Sequence, residues 1–337
     1  MRLTLRTFAL LGVLLLSVSL FLPALYHGDY PHAAGPAFDK NASRQYLREF
    51  ERTRPEVVLL GDSMLTKGVD FATFQERTGR PTYKVDIPGS SSVLWYIVVK
   101  SDVVEADPAP RTLVILFRDG ILTAPTFRTT GPYFDLIDKF ASPDDTLALQ
   151  RAYLVQLTPL QAALERYFPP YTYRGDLLAK LDGGLRHVAP RWIGCDRGCA
   201  DYAMSLVLGD MRPEVVNASI RGAEAVLYTP EQLDFQVQVD TSFLPEIIRL
   251  TQKRGIQLIF VRAPTLLFDD PADEPPALKQ YLADLESYLA VRGIPLIDLS
   301  QPQGIGPAQF SDPHHLTPEG KAIFTPIFSD AVGEYLK

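Results

Sequence analysis

Short apolar runs alternate with segments of helical periodicity along most of this chain, and the alternation limits the folds that it can adopt. The clearest runs are Glu56-Val-Val-Leu-Leu60, Thr112-Leu-Val-Ile-Leu-Phe117 and Gln257-Leu-Ile-Phe-Val261, with weaker ones at 83–87 and 295–298. Continuous apolar runs of this length are typical of strands buried on both faces. Strands that alternate with helices predict a parallel sheet covered on both sides, which is a three-layer α/β fold.

Helical periodicity covers residues 91–104, 242–254, 278–291 and 318–336. Thr317 and Pro318 predict the start of the last helix, as N-cap and first helical residue. The interval of about 123–234 follows the alternation poorly, since it combines helical patches with proline-rich aromatic loops. We interpret it as a large insertion in one domain, 46–337. Such insertions usually lie at the carboxyl ends of strands and shape the binding cleft.

The N-terminus carries a targeting pattern. Arg2 and Arg6 precede an apolar stretch from Phe8 to Leu25, and eighteen helical residues span about 27 Å, close to the hydrocarbon thickness of a bilayer. Basic residues before the stretch and acidic ones after it favour an N-in orientation. The pattern predicts a transmembrane signal anchor at 1–28, a linker at 29–45 and a domain, 46–337, on the extracytoplasmic (periplasmic) side of the inner membrane. A cleaved signal peptide is the alternative.

Composition excludes some classes of protein and leaves a globular enzyme open. The chain is 46% hydrophobic with a formal net charge of −7, so it lacks the basic footprint of a nucleic-acid-binding protein. The two cysteines, Cys195 and Cys199, flank Gly198. In an oxidising compartment this spacing predicts a local disulfide. A zinc site would need two more ligands at suitable spacing, so no metal is predicted.

Two motifs at opposite ends of the chain carry residues suited to nucleophilic catalysis. Gly61-Asp62-Ser63 directly follows the first strand, which places the serine at the carboxyl edge of the sheet, where ligands bind in α/β folds. Asp312-Pro-His-His315 precedes the last helix and offers a base with an orienting carboxylate. Each motif alone has another explanation. The first could be a helix N-cap, and the histidines could be core residues, surface residues or metal ligands.

Taken together, the two motifs resemble the first and last blocks of the SGNH/GDSL hydrolases. The resemblance implies a flavodoxin-like sheet, a catalytic triad of Ser63, Asp312 and His315, and no cofactor. Gly89 stands where the family's second block supplies an oxyanion-hole amide. The third block, normally Gly-x-Asn-Asp, reads Phe117-Arg118-Asp119-Gly120 here. Arg118 could therefore supply a charged donor to the oxyanion or the substrate, or form an ion pair with a rim acid such as Asp119.

The layout, with anchor, insertion and altered third block, resembles a subset of that superfamily. These are the extracytoplasmic proteins of alginate and cellulose O-acetylation and of teichoic-acid D-alanylation, which act with membrane-bound O-acyltransferases. The resemblance implies O-acyl transfer, O-acetyl above all, through an acyl-Ser63 intermediate to a polysaccharide or cell-envelope glycopolymer. It also implies a multi-pass membrane-bound O-acyltransferase as partner. The alternatives are a carbohydrate esterase or deacetylase, and a non-catalytic accessory subunit.

Arg262 is one further candidate for the site. It ends the fourth strand and would lie at the same edge of the sheet as Ser63. It could bind an anionic group of the substrate, and a structural salt bridge is an equally good explanation.

The cysteine pair gives a first testable prediction. Protein isolated from its native compartment without reduction should carry Cys195 and Cys199 as a disulfide, because an oxidising compartment favours closure of so short a loop. Peptide mass spectrometry after alkylation tests this directly, with a reduced sample as control. Two alkylated cysteines in the unreduced sample would contradict the disulfide and weaken the case for an extracytoplasmic location.

Overall fold

The computed structural model describes residues 2–26, 38, 43–123, 132–154, 158–174, 228–230, 233–268 and 273–336. The chain divides into two compact units. One comprises Met1–Asn41 with Phe127–Asp210, and the other comprises Ala42–Thr126 with Met211–Lys337. Cys195 and Cys199 lie outside the described residues, and so does much of the interval 123–234. The disulfide and the assignment of that interval as an insertion therefore stay predictions.

Five strands form the sheet of the second unit: β1 Val57–Gly61, β2 Thr82–Asp86, β3 Thr112–Phe117, β4 Gln257–Arg262 and β5 Leu296–Asp298. All neighbouring pairs are parallel, and the spatial order is β2-β1-β3-β4-β5. This is the flavodoxin-like order, whose switch point lies between the first and third strands. The predicted α/β fold with a parallel sheet is confirmed.

The described α-helices, in chain order, are α1 Arg2–Tyr26, α2 Gln45–Thr53, α3 Ser63–Gly68, α4 Phe71–Thr78, α5 Ser92–Val98, α6 Pro132–Phe140, α7 Thr146–Leu154, α8 Pro159–Tyr167, α9 Pro169–Thr172, α10 Phe235–Val239, α11 Leu244–Arg254, α12 Pro276–Ala290 and α13 Pro318–Gly333. The predicted helices at 242–254, 278–291 and 318–336 differ from α11, α12 and α13 only at their ends. The segment 91–104 is α5 continued by a π-helical turn, Val99–Val103.

The first unit is helical in its described parts. It contains α1 and the group α6 to α9, and α1 lies against α9. Thr158 and Gln161 form a capping box at the start of α8, in which each side chain satisfies a free amide of the first turn. Within the described residues, no helix combines the length and the apolarity needed to cross a membrane. The transmembrane helix that the sequence predicts at 1–28 is therefore not found among these residues.

Helices cover both faces of the sheet in the second unit, and the alternating side chains of each strand pack against them. On one side, alternate residues such as Leu59 and Val114 pack against α3, α4 and α13. Phe328 of α13 lies 5.5 Å from the ring of Phe74 in α4. On the other side α5 and α11 pack together, and α11 also lies against β4. Each fully buried side chain of this kind contributes about 1.5–3 kcal/mol, so the sheet forms the core of this unit.

A buried carboxylate organises the start of α2. Asp102, in the π-helical turn, is 1% exposed and accepts a 2.8 Å hydrogen bond from the Leu47 amide. The residue preceding α2, Arg44, makes no side-chain capping bond. Asp102 therefore satisfies, from a distant element, an amide that has no partner within the helix. Burial raises the pKa of Asp102 to about 6, although the Leu47 hydrogen bond and the charge of Arg44 lower it.

This pKa predicts a stability that depends on pH. The folded protein holds the Asp102 proton more tightly than the unfolded chain, so this contribution is complete below about pH 4 and is lost as the pH rises through about 6. The difference corresponds to about 3 kcal/mol of unfolding free energy. Asp102→Asn keeps an acceptor for Leu47 but cannot ionise, and should lack this component in urea unfolding measured from pH 4 to 8.

Asp70→Asn is the control, because the contribution of Asp70 to stability has the opposite dependence on pH. Asp70 accepts hydrogen bonds from the amide and hydroxyl of Thr73, and these bonds lower its pKa. Its contribution is present above its unfolded pKa and is lost as the pH falls. The Asp70 variant should therefore approach wild-type stability in acid. Equal pH profiles for wild type and Asp102→Asn would contradict the assignment.

Candidate active site

The turn from β1 into α3 presents Ser63. A Cβ on Gly61 would lie 2.9 Å from Leu65 Cβ and 3.1 Å from the Leu116 carbonyl oxygen, so only glycine lets the helix return this closely to the sheet. Asp62 is the N-cap of α3 and accepts a 2.8 Å hydrogen bond from the Met64 amide. The capping role suggested by the sequence thus belongs to Asp62, and the half-buried Ser63 hydroxyl remains available for other partners.

A short closed loop presents His315. Phe310 and Leu316 form an antiparallel bridge, and the Ser311 amide donates to the His315 carbonyl at 2.8 Å. Leu316 is buried in the core below the loop. As predicted, Thr317 caps α13, accepting from the Gly320 amide at 3.1 Å. The loop is therefore anchored by backbone bonds, by core packing and by the helix that follows it.

Ser63, His315 and Asp312 form one hydrogen-bonded chain, although 252 residues separate the first two. His315 Nε2 lies 2.8 Å from Ser63 Oγ, and His315 Nδ1 lies 2.8 Å from Asp312 Oδ2. A carboxylate only accepts, so Nδ1 carries the proton and Nε2 is left to accept from the serine hydroxyl. This is the arrangement of a nucleophile, a general base and an orienting acid.

The two acids near Ser63 have opposite pKa shifts. Burial raises the pKa of Asp62, and the Met64 amide, Arg118 and His315 only partly offset it. Burial also acts to raise the pKa of Asp312, but hydrogen bonds from the His314 amide and from the ring and amide of His315 lower it below its ordinary value. Asp312 is therefore the carboxylate that stays charged and can stabilise an imidazolium on His315.

Gly89 lies in a turn beside the end of β1. The Ser90 amide donates to the Ile87 carbonyl at 3.0 Å, and Gly89 has φ +75°. A positive φ at the third position, after Pro88, is typical of a type II turn and favours glycine. The Ile87 amide donates to the Gly61 carbonyl at 3.0 Å, so this turn is attached two residues before Ser63.

Arg118 and Arg262 have different surroundings. Arg118 directly follows β3, is half-buried, and acts electrostatically on the Asp62 carboxyl next to Ser63. Arg262 is only 3% exposed and lies among three carboxylates: Asp119 at 3.4 Å, Asp298 at 3.1 Å and Glu274. Three anions around one buried guanidinium disfavour a fourth anion from a substrate. Of the two explanations offered for Arg262, the structure shows the salt bridge.

Sequence reasoning missed the part played by Asp119. This residue has φ +43°, is 4% exposed, and accepts a 2.7 Å hydrogen bond from the Tyr228 hydroxyl. The sequence suggested an ion pair with Arg118, and the structure shows that Asp119 contacts Arg262. The order of the strands could have revealed this contact. Phe117, the residue two before Asp119, is in register with Arg262 on the neighbouring strand. Within the described residues, no cluster of His, Cys, Asp and Glu could hold a metal ion.

Comparisons with known proteins give weak similarity. One protein-family model matches residues 227–337, which is less than half of the chain. No curated protein matches significantly.

Solved structures are similar over most of their length but at low identity. A protein assigned as an acylhydrolase from Bacteroides fragilis NCTC 9343 is 15% identical, with 90% of this chain and 92% of that one covered and a TM-score of 0.36. A GDSL-like lipase from Bacteroides thetaiotaomicron VPI-5482 is 13% identical, with 83% and 88% covered and a TM-score of 0.35. A protein assigned to the lipolytic G-D-S-L family from Desulfitobacterium hafniense DCB-2 is 11% identical, with 82% and 98% covered and a TM-score of 0.36. TM-scores this low carry no argument about function, which rests on the site itself.

The hydrogen-bonded chain predicts unequal effects for the two adjacent histidines. His315→Ala removes the group that contacts Ser63 and should lower kcat for ester cleavage by about 10³-fold or more. His314→Ala leaves the contact between Ser63 and His315 in place and should retain far more activity. Steady-state kinetics on an activated acetyl ester, with circular dichroism to verify folding, provides the test. Comparable losses in two folded variants would contradict the assignment of the base.

Proposed function

We propose that the protein is a serine-dependent acyl-ester enzyme with Ser63 as nucleophile. The observation that carries the proposal is the chain of short hydrogen bonds from Ser63 through His315 to Asp312, with both contacts at 2.8 Å. The order of the chain, from a hydroxyl to an imidazole to a carboxylate, matches the logic of nucleophile, base and orienting acid.

In the first half-reaction, His315 removes the proton of the Ser63 hydroxyl as the oxygen attacks the carbonyl carbon of an acyl donor. The amides of Ser63 and Gly89 donate to the oxyanion of the tetrahedral intermediate, and Arg118 adds a charged donor at the edge of the site. His315 then gives its proton to the leaving oxygen, and the carbon–oxygen bond of the donor breaks. The products are the released alcohol and acyl-Ser63.

In the second half-reaction, His315 removes a proton from an acceptor hydroxyl, whose oxygen attacks the acyl carbon of acyl-Ser63. The bond between that carbon and Ser63 Oγ breaks, and His315 returns the proton to Oγ. We propose that this acceptor is a sugar hydroxyl of a polysaccharide or cell-envelope glycopolymer, and that the acyl group is acetyl. Arg118, in place of the usual asparagine, supports a departure from ordinary hydrolysis. Water is the competing acceptor. The His315 side chain is 28% exposed, which favours a carbohydrate esterase as second candidate.

We further propose that the enzyme acts outside the cytoplasm, at the membrane surface, and receives its acyl group from a multi-pass O-acyltransferase. The support is the N-terminal pattern of Arg2 and Arg6 before an apolar segment. In α1 several large apolar side chains are exposed, including Leu10 and Leu20 at 71% each. An apolar surface of this kind favours contact with lipid or with another apolar partner.

A kinetic competition separates the two acceptors. Full-length protein in detergent, given an activated acetyl ester, should hydrolyse it slowly. Added oligosaccharide should reduce hydrolysis while acetylated oligosaccharide accumulates, because both acceptors compete for the same acyl-Ser63. Mass spectrometry measures the acetylated sugar and the acyl-enzyme, and Ser63→Ala should abolish both signals.

The opposite outcomes are equally specific. Hydrolysis with kcat/KM of about 10⁴ M⁻¹s⁻¹ or more, with no acetylated product from any glycan tested, would establish the esterase. A wild-type protein that never acquires an acyl group on Ser63 would contradict the catalytic proposal and favour an accessory subunit.

A further inference from the structure

A buried tryptophan is connected by hydrogen bonds to the loop beside the nucleophile. Trp95, in α5, is fully buried, and its indole N–H donates to Ser90 Oγ at 2.9 Å. Ser90 is 4% exposed, and its hydroxyl donates to the Gly61 carbonyl at 3.4 Å. A hydroxyl that accepts from one side is left with its single proton for another acceptor, so Trp95 directs the Ser90 proton toward Gly61.

The Gly61 carbonyl accepts hydrogen bonds from both ends of the turn that carries Gly89. It accepts from the Ile87 amide at 3.0 Å and from the Ser90 hydroxyl at 3.4 Å. These two donors are the first and last residues of the turn, and Gly61 lies two residues before Ser63. These two bonds therefore fix the position of the turn relative to the end of β1, the strand that leads to Ser63.

We propose that Trp95 and Ser90 are positioning residues that set the distance between the Gly89 amide and the oxyanion formed at Ser63. This inference rests on the proposed function, since it specifies how one oxyanion donor of that site is held. An oxyanion donor must lie about 2.7–3.1 Å from the developing charge, and an exposed loop glycine does not hold its amide at that distance alone. Trp95 and Ser90 touch no substrate and act through Gly89.

A purely structural role for Trp95 predicts a different result. If its burial only fills the core, replacing it lowers stability and leaves turnover per folded molecule unchanged. If it positions Gly89, replacement lowers kcat, because the donor is misplaced in the transition state, and leaves KM nearly unchanged. A fall in kcat per folded molecule at a nearly constant KM therefore distinguishes the positioning role from the purely structural one.

The test compares Trp95→Phe, Ser90→Ala and the double variant with wild type in the full-length protein. Removing an oxyanion donor outright costs about 10²–10³-fold in kcat, so displacing one should cost about 10-fold, with KM changed by less than about 2-fold. The double variant should lose no more than the larger single loss, because both residues act through one connection. The pH profile of kcat/KM should be unchanged, since His315 and Asp312 are intact.

Ser329→Ala is the matched control. Ser329 is also a buried serine of this unit, 1% exposed, whose hydroxyl donates to a main-chain carbonyl, that of Thr325, at 2.7 Å. It should lose stability and keep wild-type kcat. If Trp95→Phe does not fold, Ser90→Ala against Ser329→Ala still decides the question.

Three outcomes would overturn the inference: wild-type kcat in Ser90→Ala, an equal fall in kcat for Ser329→Ala, or multiplied losses in the double variant. Absence of Ser63-dependent ester cleavage in the wild type would instead contradict the proposed function, and this inference with it. The two failures are thus distinguishable by the wild-type measurement alone.

Discussion

The parallel register of β1 between β2 and β3 is the constraint on which the site depends. Gly61, at the end of β1, pairs with Asp86 on one side and Leu116 on the other, so the three strands end at nearly the same level. Every loop that follows one of these strands starts at the same carboxyl edge of a buried sheet. The turn that carries Ser63, the turn that carries Gly89 and the segment that begins at Arg118 therefore start at the same edge of the sheet. No contact among their side chains is needed to bring them there.

The final helix completes the arrangement from the other end of the chain. Phe324 and Phe328 of α13 pack into the same core as Leu59 and Val114 of the sheet, so burial of apolar surface fixes where the helix lies against the sheet. The His315 loop precedes that helix directly. The 2.8 Å contact between His315 and Ser63 thus depends on core packing several residues away from either side chain.

Burial by itself does not decide the charge of an acid in this protein. Burial raises the pKa of Asp62 and of Asp102, whereas Asp312 receives enough hydrogen bonds for its pKa to fall. Two differences act together, since Asp312 is more exposed than Asp62 and Asp102 and faces more hydrogen-bond donors. Arg262 illustrates the same point for a cation. Burial opposes its charge, but the carboxylates around it, Asp119 first, raise its pKa, so it forms a buried charged cluster and is not free for a ligand.

The sequence by itself determined the parallel α/β sheet, because buried strands require continuous apolar runs and these are visible in the chain. It also singled out Ser63 and His315 as the candidate nucleophile and base, since Gly61-Asp62-Ser63 and Asp312-Pro-His-His315 each carry a local pattern. Only the tertiary structure decided the partners of Arg262 and Asp119 and the connection from Trp95 through Ser90 to Gly61. Those contacts join residues far apart in the chain or in different elements, and their distances depend on strand order and packing, which no local pattern contains.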